Sequence, residues 1–126
     1  MPLDTVKQRM QASSSSAFAL WKLKEEKADH DKVTPMLSLE FTAKNFQAAL
    51  DALNVMGAVA EREQHHPDFH LVEYRNVRVD IWTHKLGGIT ENDILLAEMI
   101  SEEVKVVFSP KWLKENPSAA TMNKEN

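Results

Sequence analysis

Glu61-Arg62-Glu63-Gln64-His65-His66-Pro67 is the stretch on which the fold turns. Upstream of it, across residues 43–62, Phe46, Leu50, Leu53, Met56, Val59 and Ala60 recur at three- and four-residue spacing, the apolar stripe of an amphipathic helix. Thr42 stands where an N-cap is expected. Gly57 costs such a helix about 1 kcal/mol against alanine, and a close contact with a neighbouring element is the expected reason. Pro67 ends the helical run, because the residue before a proline avoids helical backbone angles. Downstream the period changes from helical to alternating. Residues 69–74 lead through a turn near Arg75-Asn76 into residues 77–83, and asparagine tolerates the left-handed angles of tight turns. Val77, Val79 and Ile81 share one face of the second strand, while Arg78, Asp80, Trp82 and His84 have the other parity.

Toward the N-terminus, residues 18–24 and 36–41 read as strands; in the second, Leu37, Leu39 and Phe41 alternate with Met36, Ser38 and Glu40. The charged residues 25–32 fit the loop between them. Pro35 marks a strand start or an edge, since it cannot donate to a ladder. Residues 3–10 can form a short helix, joined to the first strand by the four serines from Ser13 to Ser16. Toward the C-terminus, Gly87-Gly88 breaks the chain. Thr90 and Asp93 then have the spacing of a capping box, opening a helix to Val107 with Ile94, Ala97, Ile100 and Val104 on its apolar side. Ser109-Pro110 closes it, and residues 111–126 are polar, with Trp112 isolated among them and a mobile end expected. The order is helix, two strands, helix, two strands, helix. That order predicts an α+β domain, a four-stranded antiparallel sheet with helices packed on one face. Residues 1–126 read as a single domain, with 1–16 and about 111–126 peripheral.

Composition narrows the function. The 126 residues carry a formal net charge of -4, which gives no general pull toward nucleic acid. There is no cysteine, hence no thiol nucleophile, cysteine zinc site or disulfide. No run reaches the length of a membrane helix, and the N-terminal residues make a poor targeting peptide. Cytosol is the default expectation.

His65, His66 and His84 fall where a helix end, a loop and a strand end can converge. Imidazole exchanges protons near neutrality, so three together read as proton transfer, metal binding or coincidence. Glu61 lies one helical turn before His65, so its carboxylate can face the same loop. His65 and His66 would point to opposite sides of an extended strand and share a pocket only if the backbone turns. A tight hairpin, with Phe69 near Thr83, would bring His84 back to that junction.

These elements resemble the pterin-4a-carbinolamine dehydratase family. Its pattern is a Glu, three residues, His-His-Pro, an aromatic residue on the following hairpin, a Thr-His pair and a Gly-(Leu/Ile)-Thr-x-x-Asp helix start. Here they stand as Glu61, His65-His66-Pro67, Tyr74, Thr83-His84 and Gly88-Ile89-Thr90-Glu91-Asn92-Asp93. The resemblance runs from about Phe41 to Ile100 and more faintly back to Trp21. It implies the same α+β fold and a hydro-lyase that removes water from 4a-hydroxytetrahydrobiopterin to give the quinonoid dihydropterin, without cofactor or metal. It further implies that His66 and His84 carry the proton transfers, that His65 orients the pterin, and that Glu61 tunes or orients a histidine. Gln64, Trp82, Thr83 and Lys85 complete the implied substrate pocket. His30 and His70 match no such position and are expected to be solvated; Phe69 and Tyr74 read as core or interface residues, and Trp82 packs more readily than it stacks.

The sequence departs from the animal members at Gln64, where they carry an acidic residue, at Trp82, where they carry a small hydroxyl residue, and in a hairpin one residue longer. Those departures bear on pocket shape and pterin side-chain preference. The family further implies a homo-oligomer, dimer or tetramer, with the helix from Thr90 as a self-association surface. Two rival functions follow from the same residues. One is a metal-binding protein using the histidines and Glu61, although no His-Glu-x-x-His spacing supports it. The other is an interaction protein, since some animal members act as dimerisation cofactors for a homeodomain transcription factor. A role in molybdopterin metabolism shares every residue of the first reading.

Overall fold

Alternating apolar residues on two strands build the centre of the molecule. β2 (Val33–Thr42) and β4 (Asn76–Ile81) run antiparallel, with Leu37 opposite Ile81, Leu39 opposite Val79 and Phe41 opposite Val77. All six side chains are buried on the face that receives the helices. β1 (Trp21–Lys27) flanks β2 and β3 (Asp68–Val72) flanks β4, giving an antiparallel sheet of order β1-β2-β4-β3. The computed structural model describes residues 1–12, 18–27 and 33–124. The serine run and His30 lie outside them.

The strands are longer at one end than alternation alone predicts. β1 starts at Trp21 rather than Phe18 and continues through Lys27, so residues 25–27 are strand and not loop. Pro35 lies inside β2 opposite Glu25, yet the β4 ladder begins only at Leu37. Pro35 therefore has a strand on one side only, the position its missing N–H permits. The hairpin turn consists of Glu73, Tyr74 and Arg75, with φ of 50° and 58° at the first two. Asn76, expected in the turn, is instead paired with Val72 and with Thr42. Tyr74 is exposed on this turn beneath the Arg75 guanidinium, so it is no core residue.

α2 (Phe46–Glu63) is capped by Asn45, whose Oδ1 accepts the Ala48 N–H at 2.8 Å. Thr42 cannot serve, because it is the last residue of β2 and is held extended against Asn76. The buried face keeps Met56, Val59 and Ala60 of the expected stripe, with Leu53 packed against the core, and departs from it at Phe46 and Leu50. α2 buries Ala48, Ala49, Ala52, Met56, Val59 and Ala60, whereas Phe46 is 50% and Leu50 37% exposed. Alanines let the helix lie close to the sheet, and Phe46 and Leu50, one turn apart, are left facing outward. Gly57 faces Phe69, but a methyl there would sit 4.0 Å from the ring, an ordinary contact. Close packing does not explain this glycine.

α3 (Glu91–Glu103) seals the same sheet face with Ile94, Ala97 and Ile100 fully buried, and Trp21 Nε1 donates to Ser101 Oγ at 2.8 Å. Its apolar stripe is spent on its own sheet. The helix stops at Glu103, not Val107, and the β-branched run that follows is extended, with Val104, Val106 and Phe108 buried. α1 (Leu3–Ala12) buries Val6 and joins α3 through an Arg9–Glu91 ion pair. Arg62 on α2 forks onto both Glu103 oxygens at 2.7 and 2.6 Å, holding that carboxyl below the usual carboxylate range.

The C-terminal segment is folded where composition predicts a mobile tail. Ser109 opens α4 (Pro110–Glu115), and Trp112 packs its ring 5.0 Å from Phe108. A 3-10 helix (Pro117–Met122) follows, burying Ala119 and Met122.

Candidate active site

The site begins at the C-terminus of α2. Gln64 takes left-handed angles (φ 53°, ψ 38°), and its N–H and that of His65 return to the last turn, His65 N to Ala60 O at 3.1 Å. This cap swings the chain off the helix axis and sends residues 65–67 toward β3. The two histidines therefore leave the junction in different directions and find different carboxylates.

His65 is largely buried, and its Nε2 contacts Asp93 Oδ1. Asp93 is 0% exposed. Its other oxygen accepts from the Thr83 hydroxyl at 2.9 Å and the Thr90 N–H at 2.7 Å. The Thr83 and Thr90 hydroxyls lie 3.0 Å apart. Four segments thus meet on one carboxylate: the α2–β3 junction, the end of β4, the α3 N-cap and the first turn of α3. A carboxylate can only accept, so the His65 nitrogen facing it carries the hydrogen and Nδ1 is left as the acceptor of the neutral ring. Capping boxes normally spend this acidic residue on the helix N-terminus; here it also fixes an imidazole.

His66 pairs with Glu61, Nε2 to Oε2 at 2.8 Å, and both side chains are open to solvent at 63% and 80%. Glu61 therefore serves His66 rather than His65. Thr83 is positioned by its N–H to Gly88 O at 2.7 Å, closing the loop that holds the 3-10 turn His84–Leu86. Gly87, at φ 61°, takes the left-handed angle that lets this loop close. The His84 backbone follows directly on Thr83, which places it beside the Asp93 network; its side chain lies outside the described residues. Phe69 pairs with Val79 and not with Thr83. Continuing that register beyond both strands brings Thr83 opposite His65, which is why the two reach one carboxylate.

The remaining expected pocket residues divide. Gln64 and His65 line a cleft of about 140 Å³ with Asn92, Leu95 and Met99. Lys85 is exposed on the 3-10 turn. Trp82 has the parity of the sheet face away from the helices, and its indole N–H donates to Asp68 at 3.3 Å. On that same face His70, expected to be solvated, stands 3.3 Å from Asp80, a buried carboxylate that also accepts from Ser38 and Arg78. Among the described residues no three histidine, aspartate or glutamate side chains form a group able to hold a metal ion. No helix among them is long and apolar enough to cross a membrane.

Asp93 is the residue that reading the sequence left in a structural role. The signal was its place in the Thr90-x-x-Asp93 helix start; the tertiary contact with His65, 28 positions away, is not visible in spacing.

Comparison with known proteins identifies the family. The family model for pterin 4 alpha carbinolamine dehydratase matches residues 4–103. The chain belongs to that family. It is 45% identical over 73 residues to the mitochondrial pterin-4-alpha-carbinolamine dehydratase 2 of Arabidopsis thaliana, covering 58% of this chain and 39% of that protein. A Trichodesmium erythraeum (strain IMS101) protein provisionally named as the same dehydratase is 38% identical over 86 residues, 68% of this chain and 82% of its own. The chain spans about two-fifths of the Arabidopsis relative's length. A crystal structure of a transcriptional coactivator/pterin dehydratase from Brucella melitensis has the same fold, with a TM-score of 0.58 at 24% identity, covering 79% of this chain and 93% of that one.

Proposed function

We propose that this chain dehydrates a 4a-hydroxytetrahydropterin to the quinonoid dihydropterin and water by histidine acid–base chemistry. The observation that carries the reading is Asp93, a fully buried carboxylate that fixes His65 and the Thr83 hydroxyl at the point where the His65-His66 and Thr83-His84 segments meet. In the reaction the C4a–O bond breaks, the leaving hydroxyl takes a proton and departs as water, and N5 gives up its proton as the double bond forms. Two proton transfers need two groups that exchange protons and one that holds the substrate still.

The three histidines suit those parts differently. His65 is locked by Asp93 and offers Nδ1 as a fixed acceptor, which orients the pterin. His66 is open to solvent and backed by Glu61, so it can recharge from water between turnovers. His84 supplies the second transfer. A positioned acid or base contributes about 10²–10⁴-fold, and the neighbouring nitrogen of a carbinolamine already assists departure of the hydroxyl. The family members' chemistry and this geometry support one reading, which a dehydration assay on chemically generated 4a-hydroxytetrahydropterin tests.

The same assay separates acid–base from metal chemistry. Exhaustive chelation is expected to leave the rate unchanged, since imidazoles bound to a metal cannot exchange protons with substrate. Loss of activity restored by stoichiometric zinc would contradict the mechanism.

The protein functions as a homo-oligomer in this reading. β1 and β3 leave two open sheet edges, and edges invite pairing. Phe46 and Leu50, one turn apart on α2, offer exposed apolar surface, whereas the α3 stripe is buried in its own core. Light scattering at micromolar protein is expected to return a multiple of 14.3 kDa; a monomer mass would refute it.

A further inference from the structure

The segment after residue 103 lies outside the family match and does something the family region alone cannot. It lies along the start of α2 and completes a cavity of about 290 Å³. Three lysines from separate parts of the chain line it, Lys44, Lys105 and Lys124, above apolar walls that include Ala52, Val55 and Val107.

The cavity is built on a fixed frame. The Lys44 N–H donates to Val107 O at 2.9 Å, and the Lys124 N–H donates to Val106 O at 2.8 Å. Lys105 precedes those two residues in the same extended stretch. All three lysines are therefore tied to residues 105–107, which are anchored by the buried side chains of Val104, Val106 and Phe108. Lys105 Nζ is steadied by Thr121 O at 2.6 Å. Lys44 and Lys124 form no ion pair among the described residues. The one carboxylate lining the cavity, Asp51, is engaged by Gln47 Nε2 at 2.8 Å. In a chain of net charge -4, a cavity lined by three lysines and one carboxylate is net positive, a local reversal of sign.

We propose that this cavity is a second binding site, for a small organic anion of the phosphate-ester class. Two negative charges match the net positive charge of three lysines and one carboxylate, and the apolar walls with the cavity volume accommodate an organic portion larger than the anion itself. The site is remote from the histidines. Lys44 and His65 lie at opposite ends of α2, whose 18 residues span about 27 Å. It is accordingly independent of the dehydratase reading.

The test is a titration of the full chain with inorganic phosphate and with phenyl phosphate at constant ionic strength, followed by amide NMR. Saturable shifts are expected at Lys44, Lys105 and Lys124, with phenyl phosphate binding more tightly than inorganic phosphate and phenol not binding. Lys44→Gln and Lys124→Gln are each expected to weaken binding roughly tenfold, the worth of one charge-assisted hydrogen bond. Absence of saturable shifts, shifts centred on His65 and His66, or an affinity unchanged from the parent chain in both lysine variants would each overturn the proposal. Because binding is read at the lysines, the outcome stands whatever the dehydration assay returns.

Discussion

His66→Ala and His84→Ala are each expected to slow dehydration of 4a-hydroxytetrahydropterin by roughly 10²–10⁴-fold in kcat, the range for loss of one positioned proton-transfer group. That corresponds to about 3–5 kcal/mol of barrier. The two positions should differ in how they fail. His66 is solvent-open and paired with Glu61 at 2.8 Å, so Glu61→Gln should reproduce part of the His66→Ala loss. In a His66→Ala background it should add little, since groups acting as a unit are not additive. His84 follows Thr83 in the loop closed by Gly88, and its loss should not depend on Glu61. Full kcat in His84→Ala at saturating pterin would remove that residue from the mechanism.

Asp93→Asn is the second large effect expected. Asp93 accepts at both oxygens, from His65, Thr83 and Thr90 N–H, and is fully buried. An amide presents one acceptor and one donor; with its oxygen toward the Thr90 N–H, its NH2 faces His65 and forces the imidazole into the tautomer that carries the hydrogen on Nδ1. The cost to stability is about 1.5–3 kcal/mol, the worth of hydrogen bonds to a charged group. The kinetic signature separates positioning from mere destabilisation. Below the melting transition KM should rise more than kcat falls, as it should in His65→Ala, because both remove an interaction that holds substrate. Combined with His65→Ala, Asp93→Asn should leave KM where the single change put it. Additive effects on KM would show that Asp93 acts on something other than His65.

Much of this arrangement is legible in the residues. Alternation in Leu37-Leu39-Phe41 and Val77-Val79-Ile81 marks the two central strands, and His65-His66-Pro67 marks where helix gives way to hairpin. What escaped has identifiable causes. The N-cap fell on Asn45 because pairing with Asn76 keeps Thr42 in the sheet, a tertiary contact that overrides a local preference. On α2 the burial of Met56, Val59 and Ala60 is legible in the spacing, whereas that of Ala48, Ala49 and Ala52 is not. Alanines add little to an apolar stripe, even though small residues allow close approach to a sheet. The end of α3 could have been read, since Val104-Lys105-Val106-Val107 is β-branched and alternating. The folded C-terminal segment was obscured by its polar composition, its few anchors being Phe108, Ala119 and Met122. In the site, the histidine segments were visible as motifs, whereas the Asp93–His65 contact depends on the register of β3 against β4.

The central claim rests on one rate. Purified chain, added to chemically generated 4a-hydroxytetrahydropterin and followed by the absorbance of the quinonoid dihydropterin, is expected to accelerate dehydration over buffer in a saturable manner and in proportion to protein. A rate equal to the uncatalysed reaction at every concentration of chain and substrate would contradict the account.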